Sequence, residues 1–371
     1  MTASALRILG VAALSAACAG STPRVHAPRA LPSLTPQASG TDAQLIGLDA
    51  VDDRVAWAAG ARGTWVRTID GGATWETGVV AGAESLQFRD VHALDARTAW
   101  VLSIGNGPDS RIYRTDDGGA TWALQFQAAD ERAFYDCFDF WDARSGIAFS
   151  DSYDGEFPLV ATEDGRTWEP LPTDRLPDAS TGEGAFAASG TCIVARGDSL
   201  AWFGTGAAAE ARVFRTADRG RSWEAVVSPL AQGTATTGTA SVAFLDDLRG
   251  AVMGGDVGEP AKPTDSVAIT EDGGRTWRLA GRPERPGAIY GGAFVPDART
   301  PTLVAVGPAG IAVSTDFAAT WTTVDTLDHW SVAFGAPGVG WAVGLDGRIT
   351  RIDFPRSAGT GATTSRLRGS P

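Results

Sequence analysis

Short apolar runs recur through the chain, each bounded by glycine, aspartate or proline. One unit consists of an apolar run, a turn, and a second apolar run that ends in glycine, as in Ser241–Phe244 followed by Ala251–Gly255. Runs of this length between turn residues predict β-strands, and no segment shows a helical period of useful length. Seven such first strands are recognised, and they begin near Leu45, Val91, Cys137, Thr191, Ser241, Gly291 and Ser331.

A polar phrase that ends in tryptophan follows six of these seven units. Its glycines allow positive φ and its aspartate accepts backbone N–H groups, which predicts a tight hairpin, with the tryptophan packed between neighbouring units. The structural pairs are Asp70 and Trp75, Asp117 and Trp122, Asp164 and Trp168, Asp218 and Trp223, Asp272 and Trp277, and Asp316 and Trp321. The phrase at 162–168 lacks one glycine, and the phrase at 314–321 has Phe317 and two alanines instead. We expect these two turns to be less regular.

Copies of one unit at a spacing of roughly 45 to 55 residues predict a closed repeat fold rather than two ordinary domains. Each unit contains four strands, A to D, with the phrase as the C–D turn. The prediction is therefore an all-β, seven-bladed β-propeller of four-stranded antiparallel blades over residues 41–355. The seventh unit has a C strand at 348–354 but no phrase after it. We expect the missing strand to come from Leu31–Gln37 and to close the ring.

The phrase Thr270–Trp277 and the combination Gly340–Gly344 with Asp346–Ile349 resemble a known family. They resemble the Asp-box, or bacterial neuraminidase repeat (BNR), of propellers similar to the photosystem II stability and assembly factors, with a more distant similarity to sialidases and other WD40/YVTN-like repeat proteins. The resemblance implies a non-catalytic binding or assembly role. In the resembling sialidases, the active site lies on the face opposite the Asp-boxes.

The N-terminus has the layout of a secretory signal, with Arg7, an apolar run over 8–17 and Cys18. Residues 1–18 are interpreted as a signal peptide of lipoprotein type with Cys18 as the lipidated residue, and ordinary signal cleavage is the alternative. Residues 19–40 are interpreted as a tether that contains the closing strand, and residues 356–371 as a disordered tail. The expected location is the periplasm or the cell envelope.

The formal net charge of −13 disfavours nucleic acid and anionic lipid surfaces as partners. We therefore expect a monomer that meets a membrane only through Cys18 and binds a protein partner, either a basic one or a membrane complex. An exported protein can form a disulfide between Cys137 and Cys192. The two cysteines are one place out of register between their repeats, however, which puts them on opposite strand faces. The register therefore favours two buried thiols, and a disulfide between them stays the alternative.

The longest insertions are predicted on the face opposite the C–D turns, in the B–C loops 104–111, 150–159, 204–211 and 254–266 and the D–A connections 171–189 and 280–288. The ligand or partner-binding candidates at the strand entrances and in these loops are Arg89, Asp90, Asp136, Asp154, Glu156, Ser189, Asp256, Glu259 and His329. Acids above a channel that also contains arginine, tyrosine and histidine form a candidate ligand site. The alternative is that the loop acids are solvated, and that Asp90 and Asp136 hold neighbouring strands.

No catalytic residues are assigned from the sequence. A sialidase-like glycoside hydrolase would need a tyrosine or a carboxyl pair, and the weak candidates are Tyr135, Tyr290, Glu183 and Asp151. The sialidase signature Phe-Arg-Ile-Pro is absent, and Arg89 is the only arginine among the aligned strand entrances. The enzyme hypothesis is kept as the alternative to a non-catalytic binding propeller.

No cofactor is predicted. Gly204–Ala209 matches a dinucleotide fingerprint only superficially, because a strand rather than a helix follows it. The loop 151–156 has three acids and a glycine, which allows Ca²⁺ only as a weak possibility. No metal site is assigned, because the histidines are scattered and no CxxC or HExxH motif occurs.

Overall fold

The computed structural model describes residues 31–355, and these residues form a seven-bladed β-propeller. Within them, twenty-eight strands make seven four-stranded antiparallel sheets, and the one helical element is a 3-10 turn over Gly107–Asp109. The predicted fold class is therefore confirmed. No helix in this part of the chain is long and apolar enough to span a bilayer. The predicted leader with Cys18, the first part of the tether and the 356–371 tail lie outside the described residues.

The first strand, β1 (Ser33–Gln37), belongs to the last blade. Blade 1 contains β2 (Leu45–Ala50), β3 (Ala56–Gly60), β4 (Thr64–Thr68) and β5 (Glu76–Val79). Blade 2 contains β6 (Gln87–Ala93), β7 (Ala99–Ile104), β8 (Arg111–Thr115) and β9 (Ala123–Gln127). Blade 3 contains β10 (Tyr135–Phe140), β11 (Gly146–Ser150), β12 (Leu159–Thr162) and β13 (Glu169–Pro170). Blades 4 and 5 contain β14 (Ile193–Arg196), β15 (Leu200–Gly204), β16 (Arg212–Thr216) and β17 (Glu224–Val227); and β18 (Thr237–Phe244), β19 (Gly250–Asp256), β20 (Val267–Thr270) and β21 (Arg278–Leu279). Blades 6 and 7 contain β22 (Gly291–Phe294), β23 (Leu303–Gly307), β24 (Gly310–Ser314) and β25 (Thr322–Asp325); and β26 (Ser331–Ala336), β27 (Val339–Val343) and β28 (Ile349–Asp353), to which β1 is added.

The outermost strand of each blade is its most exposed strand. In blade 1, every residue of β3 is buried, whereas β5 is almost wholly exposed. The inner strands therefore read as continuous apolar runs and the outer strands as polar ones. The core lies between blades, because each sheet packs its apolar faces against its two neighbours.

Buried tryptophans of the B strands join neighbouring blades. Trp57, Trp100 and Trp202 are fully buried, and each indole N–H donates to a backbone carbonyl of the following blade. For Trp100 and Trp202 the acceptors are Gly165 and Gly273, at 3.1 and 2.9 Å, which lie in the Trp-ended turns. These turns are therefore part of the interface between blades.

Hydrogen bonds centred on one aspartate hold each Trp-ended turn. Asp70 accepts the Thr74 N–H at 2.9 Å and the Thr74 hydroxyl at 2.6 Å, and Thr68 accepts the Gly72 N–H at 2.8 Å. The Thr74 hydroxyl is the main reason that the pKa of Asp70 falls to about 2. The same bonds occur around Asp117, Asp218, Asp272 and Asp316, and in shortened form around Asp164.

The expectation of an irregular turn at 314–321 is wrong. Phe317 and Ala318 adopt positive φ values of 56° and 61°, where glycine is usual. With that backbone, the Ala318 N–H donates to Ser314 and the Thr320 N–H donates to Asp316, each at 2.9 Å. The turn keeps its hydrogen bonds because these two residues take on a conformation that side chains disfavour. The turn at 162–168, by contrast, closes over one residue fewer.

The ring is closed by β1, as predicted. β1 pairs with β28 in antiparallel register, from Ser33 opposite Asp353 to Gln37 opposite Ile349. The Gln37 carboxamide oxygen also accepts the indole N–H of Trp341 at 3.1 Å and that of Trp75 at 3.0 Å. One side chain of the closing strand thus joins blade 7 to blade 1.

The expectation of two unpaired thiols is also wrong, because Cys137 and Cys192 form a disulfide. Their Cα atoms are 6.0 Å apart, which lies within the usual range for the bond. The expectation assumed strict alternation, but β10 contains a bulge between Tyr135 and Cys137, and Cys192 precedes β14. A bulge interrupts the alternation of strand faces. The disulfide joins blade 3 to blade 4.

We predict that Gln37→Ala destabilises the ring by about 1–3 kcal/mol, because two indole N–H groups lose their acceptor. Chemical denaturation measures the loss, and hydrogen exchange of the β28 amides should locate it at the closing strand. Gln125→Ala is the matched comparison, since Gln125 accepts the indole N–H groups of Trp100 and Trp168 at 3.1 and 3.3 Å, although Trp100 keeps the Gly165 carbonyl as a second acceptor. Exchange in β28 that is unaffected by Gln37→Ala would contradict this account of closure.

Candidate functional site

The candidate site lies at the end of the central channel opposite the Trp-ended turns. The connection over residues 171–192 leaves blade 3, and its last part crosses the innermost strands. This part, Gly184–Thr191, is here named the mouth segment. It hydrogen-bonds to groups of blades 2, 3 and 5 and to Tyr290, which leads into blade 6. Contacts on so many sides of the ring place the mouth segment over the channel.

Backbone hydrogen bonds hold the first part of the mouth segment. The Gly184 N–H donates to the Gly206 carbonyl at 3.1 Å, and the Gly206 N–H donates back at 2.8 Å. Gly206 also bridges to Gly238, so three backbone stretches lie side by side. The next amide, that of Ala185, donates to the Asp151 carboxylate at 2.7 Å. Hydrogen bonds to its backbone therefore hold this part of the mouth segment, as they hold a short strand in a sheet.

Arg89 holds the centre of the mouth segment. Its guanidinium donates to the Ala187 carbonyl at 2.9 Å and lies over the Trp330 ring, 5.2 Å from the centroid. Burial lowers the pKa of Arg89 to about 10, and the nearby Asp136 and Tyr290 partly oppose that shift. The guanidinium remains charged at neutral pH and is committed to the chain's own backbone.

Hydroxyl groups hold the last part of the mouth segment. Ser189 is buried and donates to the Tyr290 carbonyl at 2.6 Å, and the Thr191 hydroxyl donates to Ser241 at 2.8 Å. Gly190 has a φ of +71°, and a Cβ there would lie 2.5 Å from an Asp90 carboxylate oxygen. Only glycine suits that position.

Two carboxyl groups meet beneath the mouth segment. Asp136 is almost fully buried, and its carboxyl contacts that of Asp151. Burial is the main cause that raises the pKa of Asp151 to about 6 and the pKa of Asp136 well above its ordinary value. Two carboxylates in contact repel each other when both are ionised, so the pair holds a shared proton more tightly than a lone carboxyl would.

Three of the weak catalytic candidates are buried in the fold. Glu183 has a fully buried side chain that receives two hydrogen bonds from the Arg212 guanidinium, one of them at 2.8 Å, and the Thr205 hydroxyl at 2.6 Å. Tyr135 is buried edge to face against Phe126, and burial raises the pKa of its hydroxyl. Tyr290 is buried too, beside Trp330. The structure brings Asp151 near Asp136 and Asp136 near Arg89, while Glu183 belongs to a separate ion pair.

Carboxylates on the innermost strands join one blade to the next. Asp49, Asp90 and Asp139 accept the backbone N–H groups of Ala93, Phe138 and Ala195 at 2.7, 2.9 and 2.7 Å. Burial raises the pKa of Asp90 well above its ordinary value. Asp90 thus lies in the channel wall, where it contacts the neighbouring strand.

The acids of the loop 151–156 face different partners. Asp154 pairs with Arg132 at 2.8 Å, and Glu156 accepts the Thr173 hydroxyl at 2.7 Å, while Asp151 faces inward. Across residues 31–355, no group of three or more His, Cys, Asp and Glu side chains is placed to hold a metal ion.

The remaining candidates lie further along the ring. Asp256 is buried, and its pKa is lowered chiefly by the Thr236 hydroxyl, which donates to it at 2.7 Å. Glu259 pairs with Lys262 at 2.6 Å.

His329 is fully buried within blade 7. Its Nδ1–H donates to the Leu327 carbonyl at 2.8 Å, and its Nε2 lies 3.1 Å from the Thr350 hydroxyl. Burial lowers the pKa of His329, so the ring is neutral at pH 7.

Open clefts occur on both faces of the ring. On the mouth face, a cleft of about 250 Å³ lies between residues 263–266 and 282–287 and is lined by Arg282 and Arg285. A wider cleft of about 520 Å³ lies on the turn-bearing face near Arg196 and Arg249. Both of these arginines are paired with aspartates.

The residues that sequence reasoning missed belong to the mouth segment and its contacts. They are Phe186, Ala187, Arg212, Gly238 and Trp330. The sequence places Gly206 only in a dinucleotide-like pattern. In the structure, Gly206 lets the neighbouring backbone and an aromatic ring come close to its own backbone, because a Cβ there would lie 2.6 Å from the Gly238 Cα. The signal was a pair of glycines in neighbouring blades, which is visible only once the blades are aligned.

Comparison with solved structures shows the same fold. A structure of YCF48 bound to D1 peptide has a TM-score of 0.59 and 16% identity over 90% of this chain and 100% of that chain. YCF48 from Cyanidioschyzon merolae has a TM-score of 0.60 and 17% identity over 86% of this chain and 98% of that one. An ancestral GH74 enzyme has a TM-score of 0.59 and 12% identity over 87% of this chain and 46% of that chain. No family model matches the chain, and no curated protein matches it.

We predict that Arg212→Ala destabilises the protein by about 3–5 kcal/mol, because it leaves Glu183 buried without a counter-charge. The exposed pair of Arg278 and Glu271 provides the control, and Arg278→Ala should cost less than about 1 kcal/mol. Urea denaturation of both variants measures the difference. Similar losses in the two variants would contradict the structural role of Glu183.

We predict that Asp151→Asn makes stability less dependent on pH. Because the pKa of Asp151 is raised in the folded protein, its contribution is fully present below about pH 4 and is lost as the pH rises through about 6. Asparagine keeps an acceptor for Ala185 and adds a donor for Asp136. Between pH 4 and 7.5, the free energy of unfolding of the variant should therefore rise relative to that of the wild type by up to about 3 kcal/mol, as measured by denaturation at each pH. A constant difference between the two proteins would contradict the shared proton.

Proposed function

We propose that this chain is a non-catalytic propeller that binds a peptide segment of a partner protein on the mouth face. The observation that carries the proposal is the mouth segment itself. A stretch of peptide lies across the channel, and it is held through its backbone N–H and C=O groups by Arg89, Asp151 and Gly206. A surface that holds one peptide through its backbone in this way has the chemistry to hold another.

The neighbouring structures support a binding role. YCF48 shares the fold over nearly the whole of this chain, and one of its structures contains a bound peptide. The cleft beside Arg282 and Arg285 leaves further open surface on the mouth face for a partner.

The alternative is glycoside hydrolysis, and the observation in its favour is the similarity in fold to a GH74 enzyme. Glycosidases hold two carboxyl groups roughly 5–10 Å apart, with room for a sugar carbon or a water molecule between them. Asp136 and Asp151 are instead in direct contact beneath the mouth segment. Glu183 is committed to Arg212. These positions favour binding over catalysis.

We further propose that the protein is exported and acts at the cell envelope, held there through Cys18. The disulfide between Cys137 and Cys192 supports this, since such bonds persist in oxidising compartments. The net charge of −13 favours a basic segment or a basic membrane complex as the partner. Neither a cofactor nor Ca²⁺ has a role in this proposal.

A matched pair of charge reversals tests the proposed face. Basic, neutral and acidic displayed peptides are selected on the wild type, and the affinity of the bound peptides is then measured on Asp154→Arg and Glu271→Arg. Each of these acids is exposed and paired with one arginine, but Asp154 lies on the mouth face and Glu271 on the turn-bearing face. We expect basic peptides to be selected and Asp154→Arg to weaken them several-fold, with Glu271→Arg unchanged. Selection of no peptide, or equal effects of the two reversals, would count against the proposal. Glycan hydrolysis by the wild type that is abolished in Asp151→Asn would favour the alternative.

A further inference from the structure

The mouth segment presents one aromatic side chain among small residues. Its sequence from 184 to 191 is Gly-Ala-Phe-Ala-Ala-Ser-Gly-Thr. Phe186 packs with Ala188, Val257 and Trp330 in one apolar cluster. An aromatic ring among small neighbours is a side-chain pattern that a shaped surface can recognise.

The place that holds Phe186 is built by two glycines. A Cβ on Gly206 would lie 2.8 Å from the Phe186 ring, and a Cβ on Gly238 would lie 3.1 Å from it. The Cα atoms of Gly206 and Gly238 are themselves so close that neither tolerates a side chain. The two glycines therefore form a flat floor on which an aromatic ring can lie.

The walls exclude larger side chains at both ends of the mouth segment. A Cβ on Gly184 would lie 2.3 Å from an Asp151 carboxylate oxygen, and one on Gly190 would lie 2.5 Å from an Asp90 oxygen. Ala188 is buried between these ends. The surface thus fits a peptide that follows the path of the mouth segment, with an aromatic residue near its middle and small residues around it.

The mouth segment lies between two strong attachments that do not depend on it. On one side, Glu183 is fixed by Arg212, and on the other, Cys192 is fixed by its disulfide with Cys137. Glycines stand near both ends of the stretch between these attachments, Gly184 and Gly190, the second with a φ of +71°, and they give the backbone freedom to turn there. The stretch between the attachments can leave the mouth while the rest of the ring keeps its bonds.

We propose that the mouth segment is an internal ligand: it occupies a peptide site at the channel mouth, and a partner peptide with an aromatic residue among small residues displaces it. This inference rests on the proposed function and adds the chemistry of the partner and the competition that controls access. A partner peptide whose backbone bonds to Arg89 and Asp151 gains the contacts that the mouth segment loses when it leaves.

The test uses the full chain and a synthetic peptide with the sequence of residues 184–191. Phe186→Ala empties the aromatic place and weakens the internal competitor, so the peptide should bind this variant at least tenfold more tightly than the wild type in calorimetry. A peptide with serine instead of phenylalanine should not bind. Phe334→Ala is the matched control, because Phe334 is a half-buried aromatic residue of blade 7 that packs against Phe354 away from the mouth. It should bind the peptide as the wild type does.

Equal affinity of the wild type and Phe186→Ala, or equal binding of the two peptides, would overturn the inference. If Phe186→Ala fails to fold, hydrogen exchange on the wild type decides the question. The amides of 185–191 should exchange through an opening that leaves Cys192 and β14 protected, and exchange only on global unfolding would overturn the inference. Displayed peptides that bind the wild type and Phe186→Ala equally would leave the proposed function standing while this inference fails.

Discussion

Hydrogen bonds from buried indole N–H groups of the B strands join one blade to the next, and much of this ring is arranged around these bonds. Trp57, Trp100 and Trp202 are fully buried, and each finds its acceptor in the next blade. The Trp-ended turns present two of those carbonyls, and an aspartate in each turn holds the backbone that presents them. An unpaired indole in the core would cost about 1–3 kcal/mol, so a blade is complete only when its neighbour is in place.

The architecture could be predicted because its signals are local and repeated. Each short apolar run, each strand that ends in glycine and each of the six Trp-ended phrases predicts a strand or a turn within a few residues. The absence of a seventh phrase indicated that β1 closes the ring. The errors arose where a local rule was broken by its surroundings. A bulge in β10 overturned the argument from strand faces that kept Cys137 and Cys192 apart. The hydrogen bonds of the turn, such as that from the Ala318 N–H to Ser314, hold Phe317 and Ala318 in a backbone conformation that their residue types disfavour.

The candidate site was predictable only in part. The face and many of its charged residues follow from the order of strands in a blade, and Arg89, Asp136 and Asp151 do lie together at the mouth. The mouth segment has no such signature. Its alanines and glycines show neither a strand nor a helix period, and its contacts join residues up to 101 positions apart, as between Ser189 and Tyr290. Glu183 looked like a free acid in a loop because its partner Arg212 lies in another strand.

Closure of the ring by β1 imposes an order on folding. Gln37 must reach Trp341, which lies 304 residues later, so the first strand stays without its partner until the last blade exists. Loops of that length close slowly compared with the hairpins of a single blade. Blades 1 to 6 consist of hairpins between consecutive strands and can form as each is completed, whereas blade 7 waits for both ends of the chain. A chain that stops before β28 would therefore carry an unpaired N-terminal strand. The exposed edge of that strand would distinguish the incomplete chain from the complete one.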